Sequence, residues 1–211
     1  MGDKGMSNLL AWSIENSANG QLNDGSQPQQ QPAREPRRIT QEDIASLMGG
    51  PSDADLMKQA MGVIVHTEST HESKLTAFDN FEQLIENLDN ANNMESLGLW
   101  QPLMAQLDNE EADIRKMAAW CVGTAVQNND KCQQHFLKIG GVSKVAQMAV
   151  HDKDNAARRK AVYALSSTVR NFQPGMNEAM KALPKNVTGP DHVNATDMDV
   201  IDAIMSKLRD E

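Results

Sequence analysis

The sequence predicts an all-α fold, an armadillo- or HEAT-like right-handed helical solenoid with a flexible N-terminal arm. Three observations carry this. The segments LTAFDNFEQLIENLDN (75–90), KMAAWCVGTAVQNND (116–130) and KAVYALSSTVRNFQ (160–173) share one pattern. From Ser52 onward the apolar residues keep helical spacing, and no run of alternating β-branched residues is bounded by hairpin turns. Aromatic residues make up only 4% of the chain, which suits cores built from Leu, Ala, Met and Val.

In chain order, residues 1–15 carry a short apolar patch, Leu9, Leu10, Trp12 and Ile14, on an otherwise polar end. Residues 16–38 collapse to Gln, Pro, Asn, Ser and Gly, with QPQQQPAREPRR as the plainest part. Such a stretch buries too little apolar surface to offset the entropy of ordering it, so it reads as a disordered tether. Residues 39–66 read as N-terminal capping helices. In the first, Thr40 and Asp43 have capping-box spacing and Gly49-Gly50-Pro51 is the stop; in the second, Leu56, Met57, Ala60, Met61 and Ile64 keep helical spacing.

Residues 67–183 carry the repeats. Ala77, Ala118 and Ala161 correspond, as do Phe81, Val122 and Leu165, then Ile85, Val126 and Val169, then Asn87, Asn128 and Asn171, at offsets of 41 and 43 residues. The longer offset also carries the preceding helix, placing Leu99, Leu103 and Leu107 on Val142, Ala146 and Val150, and it places Arg115 on Arg158. A helical period of 40–47 residues is the mark of HEAT or armadillo units, each of which buries its apolar face only by stacking on a neighbour. The register breaks after Leu183. Residues 184–211 form a Pro-containing linker and one capping helix, in which Ile204, Met205 and Leu208 echo Leu103, Met104 and Leu107.

The net charge of −9 argues against a nucleic-acid binder, which would present a basic face. Cys121 and Cys132 form no CxxC pair and read as buried thiols in a reducing compartment. LLAWSI is too short for a signal h-region, and MGDKGM places Met6 where a myristoylation site wants Ser or Thr. The sequons at Asn186 and Asn194 are expected to stay unmodified, no membrane span is found, and the cytosol is the expected compartment. The five histidines form no HExxH or paired ligand set, and GxSxG, P-loop and GxGxxG motifs are absent. No catalysis, metal or cofactor is expected. The acidic cluster Asp108–Asp113 reads as dipole-favoured residues before a helix.

Function must then come from a surface. In armadillo units the last helix lines the inner face. On the aligned helices one stripe is Asp79, Gln83, Asn87; then Trp120, Thr124, Asn128; then Tyr163, Ser167, Asn171, with Glu86, Gln127, Arg159 and Arg170 beside it. The complementary stripe of Phe81, Ile85, Val122, Val126, Leu165 and Val169 belongs to the core. A solvated helix face accounts equally well for any single polar member. Trp120 and Tyr163 tilt the balance: burying a large side chain gains roughly 2–3 kcal/mol, yet a separate core stripe exists. Amphipathic aromatics are the residue type binding hot spots favour.

LLAWSIENS, GGPSDADLMKQAM, KLTAFDNFEQLIENLDNANN, MAAWCVGTAVQNN and RRKAVYALSSTVRN together resemble the fungal Fes-type nucleotide exchange factors, relatives of the animal HspBP proteins. The resemblance runs from Leu9 to Leu208 apart from the tether, and departs from longer family members at the short C-terminal end. It implies a monomeric co-chaperone whose concave face grips the ATPase domain of a cytosolic Hsp-70 chaperone, so that ADP leaves and the client is released. It implies, too, that Leu9, Leu10, Trp12 and Ile14 form a segment that helps release misfolded clients. Two other readings are a peptide-binding armadillo adaptor and a passive scaffold. Against the adaptor, the positions four residues after Trp120 and Tyr163 hold Thr124 and Ser167, so the Trp–Asn ladder that pins an extended basic peptide is missing.

Overall fold

The computed structural model describes residues 49–189 and 192–210. The apolar patch at 9–14, the tether at 16–38 and the helix expected over 39–48 lie outside the described residues. The chain divides into two units, 1–52 and 53–211. In the first, Gly49 and Gly50 are exposed and hold positive φ, 84° and 124°. The helices lie in the second.

Among the described residues there are eleven helices and no strand. They are α1 (Asp53–Val65), α2 (His71–Ile85), α3 (Leu88–Asn93), α4 (Trp100–Gln106), α5 (Ala112–Val126), α6 (Asp130–Lys138), α7 (Gly141–His151), α8 (Asn155–Val169), α9 (Gln173–Ala182), α10 (Lys185–Thr188) and α11 (Met198–Asp210). The chain is thus a helical solenoid in which α3–α4–α5 and α6–α7–α8 are successive three-helix units, preceded by the pair α1–α2. The long third helices stack side by side, α2 on α5 and α5 on α8, while the short helices stack α3 on α6 and α6 on α9.

Local chemistry sets the boundaries. Thr70, Asn87, Asn129 and Asp154 are N-caps, each accepting a backbone N–H of its own first turn. Asn128 and Asn171 hold left-handed backbone, φ 51° and 57°. They follow the extended C-caps Gln127 and Arg170 and turn the chain into the next helix. Asparagine tolerates this conformation far better than a β-branched residue does.

Two expectations change here. The segment 75–90 breaks at Asn87, whose extended backbone and side chain cap α3 instead of continuing α2. The short helix α6, in the polar stretch DKCQQHFLK, has no place in the repeat alignment, because its buried face includes Gln133 beside Cys132 and Phe136.

The core stripe lies where the repeat places it, with Phe81, Ile85, Val122, Val126, Leu165 and Val169 all buried. Both cysteines are free and buried. Burial pushes the Cys121 thiol well up and that of Cys132 to about 11, so both stay protonated as small apolar side chains. Gly123 brings α5 and α8 together: a Cβ there would stand 2.5 Å from Cδ1 of Tyr163 and 3.2 Å from Cα of Ala164. The Tyr163 ring occupies the space that any other residue at 123 would fill.

Polar side chains stitch one unit to the next. Arg115 donates from Nε and Nη2 to the two carboxylate oxygens of Asp152, at 2.7 and 2.8 Å, and from Nη1 to the carbonyls of Asn109 and Glu110. Arg158, its counterpart in the repeat, donates instead to the Asp152 carbonyl and to Asn155. Gln133 donates to the Ser167 carbonyl at 3.0 Å, and Ser143 to Glu178 at 2.8 Å. At the far end Asn171 N–H donates to the Ala195 carbonyl at 2.8 Å, and Arg170 pairs with Asp202 on α11.

Replacing Asp152 by Asn strands the Arg115 fork and is expected to cost about 3 kcal/mol at neutral pH, read from the denaturation midpoint. The hydrogen bond from Arg115 holds the Asp152 carboxyl below its ordinary value. A lowered folded-state value gives stability that is complete above the unfolded carboxylate pKa of about 3.9 and lost as pH falls through the folded value. The gap between wild type and Asp152→Asn is therefore expected to narrow below about pH 4; a gap constant with pH contradicts the assignment. For the helix contact, Gly123→Ala is expected to destabilise by about 1–3 kcal/mol. In a Tyr163→Ala background the penalty should fall below about 1 kcal/mol, and a thermal melt series distinguishes the two.

Candidate functional site

The outward sides of α2, α5 and α8 form one surface, because the three helices lie next to one another and turn their apolar stripes inward. Asp79, Gln83 and Glu86 on α2, Gln127 and Asn128 at the end of α5, Arg159 on α8 and Asn171 beyond it are exposed. Asn87 is exposed as well, although its side-chain oxygen is spent on capping α3. Trp120, Thr124, Tyr163 and Arg170 are half-buried. Ser167 departs from the expected stripe. It is 8% exposed, so it is buried where a surface was expected, and its backbone carbonyl accepts from the Gln133 side chain of α6.

The surface is tied together by side chains from different units. The Thr124 hydroxyl donates to Glu82 Oε1 at 2.6 Å, joining α5 to α2. The Tyr163 hydroxyl donates to Gln127 Oε1 at 3.0 Å, joining α8 to the end of α5. Lys160 Nζ lies 3.9 Å from the centroid of the Trp120 ring and 5.6 Å from that of Tyr163, a cation–π stack across the same helix pair. Arg170 donates from Nε to Ser166 at 2.9 Å and from Nη1 to Met198 Sδ at 3.2 Å, besides pairing with Asp202. The asparagines at the helix ends contribute geometry first, since Asn128 and Asn171 owe their placement to left-handed backbone.

Two members of this surface escaped the sequence reading, Glu82 and Lys160. Glu82 is 5% exposed and meets α5 through Thr124, a pairing visible only once the helices are docked. Lys160 had a signal, since it stands one turn before Tyr163 on the same helix. Its closer aromatic neighbour, Trp120, belongs to the preceding unit. Burial lowers the Lys160 pKa, opposed by the charge of Glu82, with Lys116 adding to the lowering.

Among the described residues no cluster of His, Cys, Asp and Glu is arranged to hold a metal ion, and no helix is long and apolar enough to cross a membrane. A groove runs between α1 and α2, lined by Leu56, Ala60, Val63, Ala77, Gln83 and Leu84. The face on α2, α5 and α8 combines half-buried aromatics, fixed by neighbours, with exposed acids and amides.

Comparison with known proteins agrees in fold and family. By fold, the chain is similar to a crystal structure of an engineered protein, with a TM-score of 0.51 over 80% of this chain and 71% of that one at 14% identity. By sequence, residues 6–94 match the family described as nucleotide exchange factor Fes1, and residues 90–182 match the SIL1/FES1/HPBP1 C-terminal domain. A Coccidioides immitis protein named Hsp70 nucleotide exchange factor FES1 is 54% identical over 99% of this chain and 98% of its own length. A Gibberella zeae protein of the same name is 51% identical over 100% and 98%. An Eremothecium gossypii relative of that name is 45% identical over 79% of this chain, which spans 55% of that protein. With alignments that run the length of both chains at such identity, this chain belongs to the Fes1 family of nucleotide exchange factors.

Proposed function

We propose that the protein is a nucleotide exchange factor for an Hsp70 chaperone, a co-chaperone and not an enzyme. The observation that carries this is the match to relatives of that name along essentially the whole of both chains. The surface of α2, α5 and α8 is the face that takes the chaperone's ATPase domain, with Trp120 and Tyr163 as central anchors. Asp79, Gln83, Glu86, Asn87, Thr124, Gln127, Asn128, Arg159, Arg170 and Asn171 surround them. Support comes from the half-buried state of both aromatics, which already rest on one side against Lys160 and Gly123 and leave the other for a partner.

The mechanism requires no reacting side chain. A ligand moves an equilibrium only by its preference for one state. A rigid surface that fits the ATPase domain with its nucleotide cleft open, and fits the closed form poorly, lowers the affinity for ADP. Linkage makes the effect mutual, so nucleotide weakens the exchange factor by the same factor. The protein acts as a monomer in the cytosol on this reading, in keeping with its two buried free thiols. The patch of Leu9, Leu10, Trp12 and Ile14, which falls within the Fes1 match, supplies a short apolar segment suited to a chaperone's peptide groove and assists client release.

Release of a fluorescent ADP analogue from a cytosolic Hsp70 is expected to accelerate on adding the protein; unchanged release contradicts the reading. The double variant Trp120→Ala, Tyr163→Ala is expected to lose about 2 kcal/mol or more of chaperone affinity while keeping its far-ultraviolet helical signal. Loss of that signal would instead assign the two rings to the fold. Changing Leu9, Leu10, Trp12 and Ile14 together to Ser should leave ADP release intact and slow the release of a bound client peptide. Equal client release removes the role given to the patch.

A further inference from the structure

We propose that Lys160 is the charge-recognition residue of this face, and that it receives a carboxylate side chain projecting from the chaperone's ATPase domain. The inference rests on the exchange-factor reading and extends it to one atom.

The geometry points to Nζ of Lys160. It lies on the Trp120 ring, 3.9 Å from the centroid, and within 5.6 Å of the Tyr163 ring, so the two anchors of the face share one cation. Three cations at the centre of these long helices or at their ends have acidic partners: Arg115 has Asp152, Lys116 has Asp113 and Arg170 has Asp202. Lys74, Arg158 and Arg159 share with Lys160 the lack of an ion pair, and what sets Lys160 apart is its place on the two aromatic rings. Among the described residues Lys160 takes part in no ion pair. The carboxylate that influences it most, Glu82, is engaged by the Thr124 hydroxyl at 2.6 Å and is 5% exposed, so it cannot follow a partner's approach. Lys116 adds a like charge on the same side.

A half-buried ammonium with no carboxylate has already given up part of its hydration when the protein folds. An incoming carboxylate therefore meets a cation whose desolvation and side-chain ordering are largely complete, the condition under which an interfacial pair contributes net affinity and not only orientation. The surroundings select the kind of anion. Asp79 and Glu86 are exposed on the same face and the chain carries −9 overall, so a polyanion is repelled. A single carboxylate on a protein surface reaches Lys160 while its neighbours pack against the aromatic rings.

The experiment measures binding of an Hsp70 ATPase domain to wild type, Lys160→Met and Lys160→Arg, at several salt concentrations, with ADP release recorded in parallel. Met keeps the aliphatic packing on Trp120 and removes the charge; Arg keeps the charge. The expected result is that Lys160→Met weakens binding about tenfold or more, slows association and flattens its salt dependence. Lys160→Arg should stay within about threefold of wild type. If Lys160→Met binds as wild type does while the Trp120→Ala, Tyr163→Ala variant is weakened, the proposal is overturned and the exchange-factor reading stands. If wild type neither binds the ATPase domain nor speeds ADP release, the reading beneath it fails too. Should Lys160→Met unfold, Lys160→Gln takes its place with the same outcomes.

Discussion

None of these helices can bury its apolar stripe alone, and α5 shows the constraint most fully. It carries buried residues around most of its circumference, including Ile114, Ala118, Cys121, Val122, Ala125 and Val126, and it packs on α2 on one side and α8 on the other. Each Ile or Val among these is stabilised by about 1.5–3 kcal/mol on burial, and that gain exists only while both neighbours are in place. The tight seat of Tyr163 on Gly123, the left-handed asparagines that aim the next unit, and the Arg115–Asp152 fork all keep those neighbours at one spacing. Stability in such a stack is a sum over nearest neighbours, so the middle of the array is its most secure part.

The repeat was legible because the core stripe recurs with the same residue classes. Phe81, Val122 and Leu165 report a buried position whatever surrounds them. The first helices of each unit were not legible for the opposite reason. In α6 a buried Gln133 is satisfied by a carbonyl of α8, so burial there is achieved through a hydrogen bond that no local pattern displays. The asparagine series was read correctly as a recurrence and incompletely as to cause. Asn128 and Asn171 answer a backbone demand, whereas Asn87 caps a helix itself, a task that in the next unit falls to Asn129, the residue after its counterpart Asn128. Ser167 is buried, although the helical wheel of α8 alone places it on the stripe of Tyr163, because a wheel takes no account of neighbouring helices. Glu82 and Lys160 depend on which residues of different units face each other, and a single stretch of sequence carries no such information.

The face on α2, α5 and α8 has a property that follows from how it is built. Its side chains serve the stacking and the surface at once: Thr124 with Glu82, Tyr163 with Gln127, Lys160 with Trp120. A residue held by a contact to the adjacent unit loses little further freedom when a partner arrives. With this face as the proposed partner surface, such stiffness has a use, since a surface that adapted to both open and closed forms of a partner would distinguish neither.

The single tyrosine of the chain sits at the junction between two units, its ring on Gly123 and its hydroxyl on Gln127. Its neighbour across Lys160 is Trp120, one of three tryptophans, while Trp100 lies 98% covered against His135 and Phe136. The protein thus carries a built-in optical ruler. Energy transfer from the tyrosine to Trp120 depends on the spacing of α5 and α8 and, without any label, follows the stack as it tightens or slips.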